Sequence, residues 1–268
     1  MKIAVSTIAY NEERFIQPCI KQWKPFGFHH QVLISNKPWN GKGAKKDNTE
    51  KIARNLGVEV ITGDWSSEHE QRNEALRRLK DYDWVIIADV DEFYTTEAIN
   101  HLRSYMKEYL TDKLNRTNQQ IHCLTGNLIT YWKSLDYVFS PDTHHKPPIV
   151  VNPKTVEFWI KRAVKDLGKP DGVCESIRNL DINCHHLSWV KSDKEVLNKI
   201  KSYSHSSEIK KNWYKDKWLN WTIDTEDLMP YGNEKVKVVQ TKAPKDLTEK
   251  LNRYIINNIK PYQLTGGC

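Results

Sequence analysis

The sequence predicts an α/β fold with a mostly parallel central sheet, on three observations. Apolar strand-like runs alternate with helix-like segments over the first hundred residues, the order that a parallel sheet requires. One of those runs, Val85, Ile86, Ile87 and Ala88, is apolar without interruption, as expected of a strand covered on both faces. Acidic residues begin where that strand ends, at Asp89, Asp91 and Glu92.

The elements follow in chain order. Residues 2–8 form the first strand and Tyr10, Asn11, Glu12 and Glu13 a polar turn, after which Phe15, Ile16, Cys19, Ile20 and Trp23 recur at helical spacing. Further strands are expected at 32–34 and 58–61, and helices at 48–55 and 68–80. After the acids, Thr95 or Thr96 can cap a helix whose Ala98, Ile99, Leu102, Tyr105, Met106, Tyr109 and Leu110 share one face. Residues 121–132 are expected as a strand with Gly126 and Asn127 as a bulge. Residues 133–153, with Pro141, Pro147 and Pro148, are expected as a long loop where an acceptor would be chosen. A strand-like run at 182–190 closes a Rossmann-like domain of residues 1–192. Residues 193–268 are expected as a C-terminal helical extension, led by Val196, Leu197, Ile200 and Tyr203 at helical spacing.

Composition narrows the setting. No run of eighteen apolar residues occurs, and Met1 and Lys2 lead directly into the first strand, so neither a membrane span nor a signal peptide is expected. Five cysteines scattered over 268 residues fit reduced thiols better than a disulfide framework. Together these point to a cytoplasmic enzyme, with peripheral attachment at the inner membrane face as an option. The charge of +7 has two readings: lysine-rich composition alone, or a basic surface at Lys42, Lys45 and Lys46 and at Lys210, Lys211, Lys215 and Lys217. Trp213, Trp218 and Trp221 are either core or a stacking platform for sugars or bases.

The acids carry the chemistry. Ligands collect at the carboxyl ends of strands in open α/β sheets. Two hard oxygen ligands there, Asp89 and Asp91, suit Mg²⁺ or Mn²⁺, which would hold a diphosphate.

Residues 10–13, Asp47, Asn48 and Thr49 before a helix, Trp65 after the third strand, the run from Gln71 to Leu76, and the aspartate pair after roughly ninety residues together resemble the nucleotide-sugar-binding half of GT-A glycosyltransferases, most closely family 2. The second half is similar to that of bacterial lipopolysaccharide-core glucosyltransferases of that family. There a strand ending in Arg, here 157–162, precedes a Gly-Val-His-Glu element, here Gly172, Val173, Cys174 and Glu175, and then a His-rich strand. The resemblance implies a nucleoside-diphosphate sugar as donor, UDP-sugar first, and a glycan or lipid-linked glycan of the bacterial surface as acceptor. It also implies Tyr10, Asn36, Asp64, Arg72 and Asp89 along the nucleotide, and Asp89, Asp91 and His186 at the metal. Glu175 would be the general base of an inverting reaction. Of His185 and His186 only one can face the metal, because neighbours on a strand point opposite ways. Asn36 departs from the family, which places an acid there, and leaves the nucleotide open.

Three alternatives remain. A viral or phage enzyme glycosylating hydroxymethylated bases in DNA, working in host cytoplasm, suits the charge and the tryptophans. A pyrophosphorylase or nucleotidyltransferase shares the sheet but carries a Gly-rich basic loop after the first strand, unlike residues 10–13. A glycan- or nucleic-acid-binding module would leave the aspartates and Glu175 without a role.

Overall fold

The computed structural model describes residues 1–40, 43, 45–111, 121–141, 145–169, 174, 176–202, 205–233 and 235–252. Its centre is a mixed α/β arrangement whose parallel heart is β1 (Ile3–Ala9), β2 (His29–Ser35), β3 (Glu59–Gly63) and β4 (Trp84–Ile87), in the order β3-β2-β1-β4. All seven residues of β1 and all four of β4 are buried, as a sheet covered on both faces demands. The helices α1 (Glu13–Trp23), α2 (Thr49–Asn55) and α3 (Glu68–Arg78) form the connections. In α1 the expected face is the buried one, with Phe15, Ile16, Cys19, Ile20 and Trp23 all in the core. Ser67 caps α3 by accepting from the Glu70 amide at 3.3 Å.

After the acids, β5 (Glu92–Phe93) is followed by α4 (Thr96–Thr111), and Thr95 Oγ1 accepts from the Ala98 amide at 3.1 Å. The next strand, β6 (Cys123–Trp132), is irregular where Gly126 stands, but the extra residues lie opposite it. They belong to β11 (Ile177–Trp189), between Asn179 and Asn183, and a Cβ on Gly126 would sit 2.8 Å from the Ile182 carbonyl. Gly126 therefore admits the bulge rather than forming it.

The loop expected at 133–153 is corrected: it holds β7 (Tyr137–Ser140) and β8 (Pro148–Val151). β8 runs antiparallel between β4 and β6, and Pro148 stands at its first residue, where a missing amide costs the ladder nothing. A separate hairpin pairs β9 (Val156–Ile160) with β10 (Ala163–Asp166), turning through Lys161 at a φ of +46°.

Among the described residues, the C-terminal region contains helices and one strand. It comprises α5 (Asp193–Ser202), a π-helical turn at Tyr214–Leu219, β12 (Lys237–Gln240) and α6 (Lys245–Asn252). β12 pairs antiparallel with β7 and so extends the main sheet. Trp213, Trp218 and Trp221 are buried, at 1–4 % exposure, against Trp132, Phe139 and Trp189. Trp132 and Trp218 meet edge-on at 4.9 Å, and the Trp213 and Trp218 ring N–H groups donate to Leu228 O and Asp193 Oδ1. The three tryptophans are thus core, and the stacking-platform reading is withdrawn. Tyr203 lies outside the described residues.

Candidate functional site

The site forms where β4 ends. The chain turns back on itself there, with the Glu92 amide donating to Asp89 O at 3.0 Å, and β5 then pairs antiparallel with β11, His186 opposite Glu92. The Leu187 amide donates to Asp91 O at 2.8 Å, fixing β11 against the acidic turn.

Alternation along β11 separates the two histidines. His186 Nε2 lies 3.6 Å from Asp91 Oδ1, and its Nδ1 lies 3.3 Å from Thr130 Oγ1. His185 faces the other way, 3.0 Å from the Tyr131 hydroxyl, and burial pushes its pKa down to about 4.

Asp89 and Asp91 have different surroundings. Arg72 Nη2 donates to both Asp89 oxygens at 2.8 and 2.9 Å, and Arg162 Nη1 donates to Oδ2 at 3.1 Å. Arg162 also grips Glu92 with both terminal nitrogens and donates to the Ile87 and Pro148 carbonyls. Arg72 is held in turn by Glu68, one helical turn earlier, at 2.8 Å. Burial raises the Asp89 pKa, but the two guanidinium groups outweigh it and hold the carboxyl below its ordinary range. Asp91 touches no guanidinium. Lys199 Nζ stands 3.6 Å from its Oδ2. Burial again raises the pKa, and His186, Lys199 and Lys191 hold it well below the carboxylate range.

These groups open into a cleft of about 1450 Å³. Tyr10, Arg72, Asp89, Asp91 and His186 all line it; Asn36 and Asp64 do not. Asn36 Oδ1 accepts from Lys46 Nζ at 2.7 Å, and Asp64, more than half exposed, faces Lys37 at 3.9 Å. Glu175 and Lys42 lie outside the described residues. Sequence reasoning assigned no role to Arg162, Glu68, Lys191 or Lys199. The Glu68–Arg72 spacing of four was legible, whereas Arg162 meets Glu92 across seventy residues of chain.

The donor set can be tested against a divalent cation. Two atoms each about 2.1 Å from a Mg²⁺-sized ion at a right angle stand about 3 Å apart. Asp91 Oδ1 and His186 Nε2, at 3.6 Å, need to close by only about half an ångström to share one ion. Asp89 is more heavily engaged: its Oδ1 accepts one arginine bond and its Oδ2 two, which leaves about one of its four lone-pair sites, on Oδ1, for a cation. Among the described residues no three His, Cys, Asp or Glu side chains converge as a metal-binding group, so a cation here would rest on the pair and on ligands brought by a substrate.

No protein-family model matches the chain, and no curated protein matches it. Solved structures with a similar course include a cytidylyltransferase from Leptospira borgpetersenii, 18% identical over 47% of this chain and 54% of that one, with a TM-score of 0.34. The bifunctional IspDF of Campylobacter jejuni is 15% identical over 68% of this chain and 50% of that one, with a TM-score of 0.38. A putative glucose-1-phosphate thymidylyltransferase from Bacillus anthracis is 8% identical over 94% and 95%, with a TM-score of 0.33. This chain spans about half the length of the first two. Two of the three are named as nucleotidyltransferases and none as a glycosyltransferase, and at these identities and TM-scores the likeness bears no weight for function.

Proposed function

We propose that the cleft binds a nucleoside-diphosphate sugar and transfers the sugar to an acceptor hydroxyl. The observation that carries this reading is the Asp91–His186 pair at the carboxyl end of β4, open to a large cleft and flanked by lysine. Asp91 and His186 would hold Mn²⁺ or Mg²⁺, and such a cation supplies positive charge against the leaving diphosphate. Asp89, fixed by Arg72 and Arg162, would shape the turn that presents Asp91. Tyr10 and Trp39, on the cleft wall, would take the nucleotide base; the Trp39 indole is fixed by a 2.7 Å bond to Gln71 Oε1. Glu175 is proposed as the base that accepts the acceptor's proton.

A glycan is the proposed acceptor. With the tryptophans in the core, the DNA reading loses one of its supports and keeps the net charge of +7 and the absence of an apolar run long enough to span a membrane. The loop after β1, Tyr10 to Glu12, contains no glycine, which argues against the phosphate-cradling loop of a nucleotidyltransferase. No described helix is long and apolar enough to cross a membrane.

The test is product analysis. The protein is incubated with a panel of nucleotide sugars and Mn²⁺, offering oligosaccharides and hydroxymethylated DNA, and in parallel with nucleoside triphosphates and sugar phosphates. Release of nucleoside diphosphate, stimulated by an oligosaccharide, is expected. Release of pyrophosphate from the triphosphate arm, with none of the former, would replace sugar transfer by nucleotidyl transfer.

A further inference from the structure

We infer that Lys199 is a diphosphate-binding residue, delivered to the cleft by the C-terminal region; the inference rests on the sugar-transfer reading above. Two features of α5 carry it. Lys194, Glu195, Asn198, Lys199 and Ser202 all line the cleft, and on a helix of 3.6 residues per turn they fall on one face. On the opposite side Val196 is buried and Ile200 packs in the tryptophan cluster, so the helix is anchored by its apolar face and offers its polar one to the cleft.

Within that polar face Lys199 is the residue that reaches the acidic turn. Its ammonium stands 3.6 Å from Asp91 Oδ2, beyond hydrogen-bond length, and 5.6 Å from the centre of the Trp189 ring, which steers it along the cleft wall. Asp91 is thus bracketed by His186 on one oxygen and Lys199 on the other. A cation shared by Asp91 and His186 would offset the carboxylate's negative charge and weaken its hold on the ammonium. An entering diphosphate then gives Lys199 a stronger partner. Of the other cations lining the cleft, Lys191 bonds Glu12 at 2.9 Å and Arg14 pairs with Glu195.

The test is calorimetry with Mn²⁺ on the full chain, first screening UDP, dTDP, CDP, GDP and ADP, then comparing the tightest binder with its nucleoside. Lys199→Met is expected to weaken diphosphate binding at least tenfold while nucleoside binding shifts less than threefold. Lys199→Arg should restore diphosphate affinity to within about threefold of the parent, and Lys201→Ala, exposed on the same helix, should match the parent. Unchanged diphosphate affinity in Lys199→Met would overturn the inference and leave the sugar-transfer reading standing. Equal loss for diphosphate and nucleoside would also overturn it, by making Lys199 structural. Absence of binding by the parent for all five diphosphates would overturn the sugar-transfer reading itself, and the inference with it.

Discussion

Asp89 and Asp91 stand one residue apart on the same turn, yet the fold treats them in opposite ways. Asp89 is locked into a four-residue network with Arg72, Arg162 and Glu92, and its two oxygens accept three arginine hydrogen bonds. The Asp91 carboxylate faces His186 and Lys199, each at 3.6 Å, and the first is an imidazole that can itself ligate a metal. The lesson is that an acid-x-acid motif need not be two equivalent ligands. One carboxylate builds the turn and the other is presented by it.

The comparison breaks most visibly at Arg162. Replacing it by methionine strands Glu92, 2 % exposed, as a buried carboxylate without its guanidinium, and deprives Asp89 of one partner. Breaking such a buried pair costs about 3–5 kcal/mol, read as a shift in the urea midpoint. A loss below about 1 kcal/mol would mean that the network is not what fixes the turn.

A second difference separates the neighbouring histidines. His185 has a folded pKa of about 4, below its unfolded value of about 6.5, so below pH 6.5 the unfolded chain binds more protons. Stability must therefore fall as pH falls from about 6.5 to 4, by roughly 3 kcal/mol from this group. Urea titrations at pH 7 and pH 4 should show that difference shrink by this amount in His185→Gln. An unaltered difference would place the titration elsewhere.

His186, which faces Asp91, stands on β11, whereas Arg72 and Arg162, which hold Asp89, come from α3 and the β9–β10 turn. Gly126→Ala would push a Cβ to 2.8 Å from the Ile182 carbonyl on the bulged strand, a backbone clash costing about 1–3 kcal/mol. It should perturb the His186 imidazole resonances while the Arg162 side-chain signals stay in place. Movement of both would show that the two ends are not separable.

Legibility in the sequence followed the same division. The parallel half could be read because its strands carry apolar runs, unbroken in β4, and α1 carries its core face at regular spacing. Strand alternation shows that only one of His185 and His186 can face the acids, and the family resemblance chooses His186. The arginines were not legible, because Arg162 reaches Asp89 and Glu92 from a hairpin turn, a contact that no local pattern encodes. The four-residue strands β7 and β8 were hidden by the prolines around them, and β12 by its four-residue length amid polar sequence. Asn36 and Asp64, which the resemblance places along the nucleotide, stand outside the lining of this cleft.

The central claim is that Asp91 and His186 hold the cation that binds the diphosphate. Asp91→Asn removes the charge with almost no change of volume; since His186, Lys199 and Lys191 favour the ionised carboxylate, some stability is lost with it, and a urea titration checks that the variant is folded under the binding conditions. Calorimetry of a nucleoside diphosphate with and without Mn²⁺ is the direct measurement. The parent should bind markedly tighter with Mn²⁺, and Asp91→Asn, still folded by urea titration, should bind equally weakly in both conditions. Mn²⁺-dependent binding of undiminished strength in Asp91→Asn would contradict the account.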